Sequence, residues 1–285
     1  MPRTPGLTRR SLVPVVAGLG LPLGVSAQPR PSWLAGLQLY TVRDLLAADL
    51  DGTLRQVAEI GYREVEPAGW VGGATVHVVQ AALQRHGLRA TSMHASYQRL
   101  RNDAEAVVEE AHIVGANFLV CPSIDAQDRQ TADDWKAACQ RLGEIGRMAR
   151  RHGLALAYHN HDFEFVPFTN GAIPFDLMMT ETDPLDVKFE LDVYWVAKAG
   201  RDPVQCLKDG RGRIPLVHLK DLGTDGSTRE LGAGVLDFER IIRSALLAGA
   251  RHLFVEQDDS ADPLRSIAMS LRFLERLPPD VRPQS

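Results

Sequence analysis

One local theme recurs along this chain and leaves few folds open to it: a helical stretch, a glycine or His-Gly stop, one or two polar residues, then a short apolar run with a polar end. Copies run from Ala58 through Gly61 to Glu66, from Leu83 through Gly87 to His94, and from Ala111 through Gly115 to Cys121. Two more run from Met148 through Gly153 to His159 and from Leu247 through Gly249 to Glu256. Glycine after the last helical residue is the expected left-handed cap, and a near-continuous apolar run suits a parallel strand covered on both faces. Adding Gly36 to Tyr40, Val187 to Asp192 and Leu216 to Lys220 gives eight strands. Eight βα units in about 250 residues predict an α/β fold, the closed (β/α)8 TIM barrel. A doubly wound open sheet fits less well, because no Gly-rich phosphate fingerprint follows the first strand.

The start of the chain stands outside this pattern. Thr8-Arg9-Arg10-Ser11-Leu12 is a twin-arginine run followed by the uncharged stretch Val13 to Val25, which ends in the small residues Ser26 and Ala27. The stretch is short and broken by Pro14, Gly18, Gly20, Pro22 and Gly24, so it reads as a cleavable export signal over residues 1–27 and not as a membrane span. One barrel domain is expected over residues 28–285, with a periplasmic location and no stable membrane insertion after cleavage.

The formal net charge is −4, and residues 1–27 hold Arg3, Arg9 and Arg10 but no acid, so the remaining chain is more acidic still. That argues against a nucleic-acid partner. Cys121, Cys139 and Cys206 cannot all pair, and they are expected as free thiols.

In a barrel of this kind chemistry lies at the C-terminal strand ends. Here the ends read Gln38-Leu-Tyr40, Glu64-Val-Glu66, His94, Cys121, His159-Asn-His161-Asp162, Glu190-Leu-Asp192, His218-Leu-Lys220-Asp221 and Glu256-Gln-Asp258. Side chains alternate along a strand, so His159 pairs with His161, Glu190 with Asp192, His218 with Lys220, and Glu256 with Asp258 on one face. Imidazoles and carboxylates converging on one mouth suit one divalent ion, Mn, Zn, Co, Fe or Mg, among which the residue types do not choose.

The segments Leu37 to Arg43, Gly61 to Glu66, Tyr158 to Phe165, Glu190 to Asp192, Val217 to Asp221, Leu231 to Phe238 and Val255 to Asp258 together resemble the xylose isomerase-like barrel superfamily of sugar phosphate isomerases and epimerases. In its ketose 3-epimerase branch a glutamate, an aspartate, a histidine and a glutamate ending strands five to eight hold the metal. The last three are similar to Asp192, His218 and Glu256. His159 stands where the first glutamate is expected, and His161 is the alternative ligand on that strand. The resemblance thus implies the metal set His159, Asp192, His218 and Glu256. The departure at residue 159 removes one of the two glutamates that act as opposed acid and base, which argues for one-base chemistry.

The resemblance implies an enzyme that forms an enediolate from a sugar or keto-sugar, as an isomerase, an epimerase, or a lyase or hydrolase on 3-keto-glycosides, and the expected export, with no Arg/Lys cluster to mark a phosphate pocket, argues for a non-phosphorylated substrate. Glu256, Lys220 and His161 are the candidate catalytic residues. Gln38, Tyr40, Glu66, His94, Glu164 and Trp195 are the candidate substrate contacts. A sugar is the expected partner, and an oligomer is compatible with the sequence. The competing reading is an exported sugar-binding accessory protein that retains the metal site without catalysis.

Overall fold

The computed structural model describes residues 1–2 and 35–281. The export signal expected over residues 1–27 therefore lies almost wholly outside the described residues. The barrel strands are β1 (Ala35–Gln38), β2 (Glu64–Glu66), β3 in two halves (Arg89–Ala90 and Ser92–His94), β4 (Phe118–Cys121), β5 (Ala155–His159), β6 (Val187–Asp192), β7 (Leu216–Leu219) and β8 (His252–Val255). Every pairing among them is parallel, and nine hydrogen-bonded segments follow one another in a single sheet.

The break at Thr91 explains why nine segments make an eight-stranded ring. The first half of β3 pairs with β2, Glu64 opposite Arg89, and the second half pairs with β4, Ser92 opposite Phe118. Thr91 carries the chain from one neighbour to the other, its carbonyl accepting from the Asn117 and Phe118 amides. The two ends of the sheet are one strand, and the barrel closes on itself. The first strand is shorter than its sequence suggests, since Leu39–Val42 turn into a 3₁₀ helix and Tyr40 leaves the sheet.

Alternation along the strands divides the apolar residues into two cores. Outward side chains such as Leu37, Val65, Leu119, Tyr158, Leu191 and Val217 pack with the helices, whereas Phe118, Val120, Ala157, Leu216 and Phe254 form a separate cluster. The second cluster fills the barrel interior below the mouth, a packed plug rather than a pore. Gly36 is required there: a Cβ would lie 2.3 Å from Cδ1 of Phe254. Beneath the plug, Glu64 accepts hydrogen bonds from His252 and Thr91, so this buried acid closes the base of the barrel and takes no part in the mouth.

Outside the sheet, the helices end as the glycine stops require. Gly115 and Gly249 cap their helices in the left-handed region, at φ 84° and 99°. The longest helix, Ala132–Arg151, starts with a reciprocal capping box between Thr131 and Asp134. It approaches β6 so closely at Gly146 that a Cβ there would lie 2.0 Å from the Asp186 carbonyl oxygen. Backbone cannot swing aside as a side chain can. Gly146→Ala is therefore expected to destabilise the fold by about 1–3 kcal/mol, despite alanine's better helix propensity. An unchanged or raised midpoint in urea unfolding would contradict this close contact.

Candidate metal centre and active site

Above the apolar plug, the next inward-facing residues are nearly all polar and buried: Gln38, Glu66, His159, Glu190, His218, and the half-buried His94. Glu190 sits among three imidazoles, its Oε2 lying 2.9 Å from His94 Nε2, 3.2 Å from His159 Nδ1 and 3.1 Å from His218 Nε2. Glu66 Oε1 accepts from Gln38 Nε2 at 2.7 Å and from His218 Nε2 at 2.7 Å. Burial and the adjacent Glu66 oppose ionisation of Glu190, yet His218 and His159 hold its carboxyl down at about 2. Burial likewise opposes a charge on His94, but Glu66 and Glu190 raise it to about 9. His159 differs: burial drives it well below the ordinary imidazole range, so its ring is neutral.

One level higher, Asp192, His218 and Glu256 each offer a ligand atom, and all three atoms lie within 4.8 Å of one another. Asp192 ends β6 and turns the chain into the next helix, its Oδ1 accepting from the Tyr194 and Trp195 amides. That leaves Oδ2 buried without a directed hydrogen bond. His218 donates from Nε2 to Glu66, which aims Nδ1 at the Glu256 side, 2.9 Å from Oε2. Lys220 Nζ lies 3.1 Å from Asp192 Oδ2, 2.8 Å from Glu256 Oε2 and 3.0 Å from Asp258 Oδ2. Burial disfavours both charges, but Lys220 and His218 keep the Glu256 carboxylate far below its usual range, and the three acids keep the ammonium well above its own. Asp192 is pushed upward, chiefly by burial.

A metal ion fits this donor set. Two carboxylates and an imidazole converge in a buried place, and Asp192 Oδ2, which accepts no directed hydrogen bond, is balanced only by the ion pair with Lys220, so these acids already attract a cation. His159 departs from the sequence expectation, because the structure brings together only three of the four expected ligands. His159 instead joins His94, Glu190 and His218 as a neighbouring group, with Nδ1 turned to Glu190 and Nε2 still 4.0 Å from Asp192 Oδ2. The buried Glu190 carboxylate needs N–H donors and recruits this ring, a long-range demand invisible along the chain. His161, the alternative ligand, stacks on Phe163 and leans against Trp195, and its Nδ1 is buried without a partner.

A cavity of about 690 Å³ opens over this floor. Tyr40, His94, His159, His161, Trp195, Lys220 and Glu256 line it. Gln38 and Glu66, expected as substrate contacts, lie below it and orient His94 and His218. Glu164 is turned away altogether. It is buried beside β5, accepting from the Tyr158 hydroxyl at 2.6 Å and the His161 amide at 2.8 Å, which sets the loop that carries His161.

Burial raises the Glu164 carboxyl to about 7, from an ordinary 4.5. The folded chain then holds a proton that the unfolded chain releases, so the contribution of Glu164 to stability is full below pH 4.5 and is lost as pH rises through 7. Spread over that window the loss is about 3 kcal/mol. Glu164→Gln is expected to flatten this part of the stability profile, and an identical slope in the variant would refute the assignment.

Sequence reasoning singled out neither Glu190 nor Asp258, although the i, i+2 parity with Asp192 and Glu256 marked both. It also missed the cations of the wall. Arg43, Lys198 and Arg229 come from three separate segments to line the cavity. Arg43 is held by the Tyr40 and Asp258 carbonyls, Lys198 by the Tyr194 hydroxyl, and Arg229 by Asp225. The wall that carries Arg229 is fixed by Asp221, whose carboxylate accepts from the amides of Leu222, Gly232, Gly234 and Leu236.

The all-parallel closed barrel carries acids and imidazoles at its C-terminal mouth, where such barrels place their chemistry, and the comparisons give its family. Residues 54–277 match the xylose isomerase-like TIM barrel family, and the chain belongs to it. An inosose dehydratase of Clostridium beijerinckii is 29% identical over 206 residues, covering 59% of this chain and 68% of that protein. One from Clostridium tetani is 27% identical over 126 residues, and the match spans only 41% of that relative's length. A solved sugar phosphate isomerase/epimerase from Parabacteroides distasonis superposes with a TM-score of 0.76 at 25% identity, covering 86% of this chain and 99% of its own. The chain is thus isomerase/epimerase-like, and its matched relatives carry the names of enzymes. No helix among the described residues is long and apolar enough to cross a membrane.

Proposed function

We propose that this protein is a metal-dependent enzyme that removes the proton beside the carbonyl of a non-phosphorylated keto-sugar or cyclic polyol ketone, and that the enediolate then expels a β-oxygen. The observation that carries this reading is the Glu256–Lys220 pair on the cavity floor, an ionised carboxylate and an ammonium 2.8 Å apart. Glu256 takes the proton from carbon, and the electron pair of that C–H bond moves onto the carbonyl oxygen. Lys220 supplies positive charge beside that oxygen as it becomes anionic. When the electrons return, the β C–O bond breaks and its oxygen leaves with the proton that Glu256 took from carbon, which restores the carboxylate. His161, lowered to about 4 by burial and the nearby Lys220, stays a neutral imidazole on the cavity wall and hydrogen-bonds the departing oxygen.

Asp192, His218 and Glu256 would hold one divalent ion, with His159 or His161 as the fourth protein ligand. Bound there, the ion polarises the carbonyl and acidifies the adjacent C–H. Elimination is favoured over two-base epimerisation because His159, which stands where an epimerase carries its second glutamate, and His161 are neutral imidazoles on the cavity wall. The relatives named inosose dehydratases point the same way. A non-phosphorylated substrate goes with the export read from the Arg9–Arg10 segment, since sugar phosphates are kept in the cytoplasm. We also read the Arg9–Arg10 segment as a signal for export to the periplasm, which fractionation of the full chain tests directly.

The reaction is tested by incubating metal-loaded protein in deuterated water with 3-keto-glycosides, inososes and simple ketoses and following them by NMR. Exchange at one carbon with release of the β-substituent is the expected result. Rapid two-way epimerisation of a free ketose would overturn the one-base mechanism. Tight binding without exchange on any substrate would favour a non-catalytic sugar-binding protein.

A further inference from the structure

Among the described residues, Arg43, Lys198, Lys220 and Arg229 bring positive charge to the cavity, and they differ in what balances it. Lys220 faces the carboxylates of Asp192, Glu256 and Asp258, and Arg229 pairs with Asp225 at 2.7 Å. Arg43 turns Nη1 to the Tyr40 and Asp258 carbonyls and lays its plane over the Tyr40 ring. Lys198, on the exposed rim, has a neutral partner in place of an acid: among the described residues its Nζ donates only to the Tyr194 oxygen, at 3.2 Å. Tyr194 gives its own proton to the Gly226 carbonyl at 2.8 Å, so that oxygen is fixed as the acceptor. Lys198 and Lys220 lie over the same Trp195 ring, their nitrogens 4.5 and 5.4 Å from its centroid, which puts the two nitrogens within 9.9 Å of each other. Two like charges inside roughly a Debye length, ~10 Å at 0.1 M salt, repel, and an anion seated between them offsets that repulsion.

We infer that the substrate is a sugar acid, a keto-sugar whose carbonyl lies at Lys220 on the floor and whose carboxylate pairs with Lys198 on the wall, with the ring against Trp195. The inference rests on the proposed function for the carbonyl end. A divalent ion on the floor would meet the three carboxylates around Lys220 and leave Lys198 as it stands, an ammonium with N–H groups to spare and no acid in ion-pair reach. A carboxylate supplies the single charge that one ammonium matches. A phosphate dianion asks for more donors, such as the backbone amides of a helix N-terminus, and Lys198 stands at the other end of its helix, Val193–Lys198.

Methyl β-D-glucuronide and methyl β-D-glucoside differ at C6, carboxylate against hydroxymethyl, and their binding to the metal-loaded full chain by calorimetry tests the inference without requiring turnover. The glucuronide is expected to bind about tenfold more tightly at low ionic strength, the size of one charge-assisted hydrogen bond, with the preference shrinking as salt is raised. Lys198→Met keeps a stem against Trp195 and removes the charge, and it is expected to bind the two glycosides alike. Lys198→Arg restores a cation and should restore the preference, which separates lost charge from a disturbed wall. Equal affinities in the parent, no measurable glucuronide binding, or a preference that survives in Lys198→Met, as it would if the bound metal or Arg43 held the carboxylate, would overturn the inference. Equal affinities in a protein that still exchanges neutral keto-glycosides would sink the acid substrate and leave the elimination standing. A Lys198-dependent preference without exchange on any keto-sugar would uphold the anion site and sink the elimination.

Discussion

Replacing Glu256 by glutamine is expected to lower kcat on the productive keto-sugar about a thousandfold, within the range that general-base groups contribute. The substitution keeps the shape of the side chain and removes the charge that accepts the proton. It also sets an amide against two donors, since Glu256 Oε2 takes His218 Nδ1 at 2.9 Å and Lys220 Nζ at 2.8 Å. Deuterium exchange into the substrate should stop together with release of the β-substituent, because both depend on the same first step. KM should change far less than kcat, as expected for an interaction made mainly in the transition state. A variant that keeps kcat within tenfold of the parent would remove Glu256 from the role of base.

The second large effect is loss of the metal from Asp192 variants. Protein prepared without chelator is expected to carry about one equivalent of a first-row divalent ion, and both Asp192→Ala and Asp192→Asn should carry less than about a tenth of that. The pair of variants separates ligation from folding. Asp192 Oδ1 caps the helix Val193–Lys198 through the Tyr194 and Trp195 amides, at 2.9 and 3.1 Å. Asparagine keeps that cap, whereas alanine loses it at a cost of about 1 kcal/mol. Added metal should stabilise the parent by about 2.7 kcal/mol at a hundredfold excess over its Kd, and neither variant at all. If both variants retain full metal content by elemental analysis, the ion is held elsewhere.

Much of the architecture was written locally. The glycine stops at Gly115 and Gly249, the apolar strands after them and the polar strand ends are short-range signals, and each became the element expected of it. Parity also held: Phe118, Val120, Ala157, Leu216 and Phe254 point inward together, so the residues above them on the same strands converge at the mouth. That is why the polar strand ends were legible as one active face, whereas the choice of Asp192, His218 and Glu256 among them rested on the family resemblance.

Depth within the mouth was not legible. Gln38 and Glu66 share the inward parity of Lys220 and Glu256, yet they lie a level lower and shape imidazoles instead of meeting a ligand. Strand stagger in the closed barrel fixes that level, and stagger is a property of pairing between strands. Glu164 failed differently. It sits one turn past β5, in a 3₁₀ segment whose direction depends on the Tyr158 hydroxyl and the His161 amide.

The sequence by itself determined the barrel, its active face and the chemical type of the site, because these follow from periodicities of two and 3.6 residues that any short window contains. Only the tertiary structure decided which nitrogen meets which carboxylate. His159 turns to Glu190, and Lys220 bridges Asp192, Glu256 and Asp258. Those outcomes come from several buried charges competing for a few partners in one small volume, and the partners are distant in the chain, 152 residues apart for Glu66 and His218.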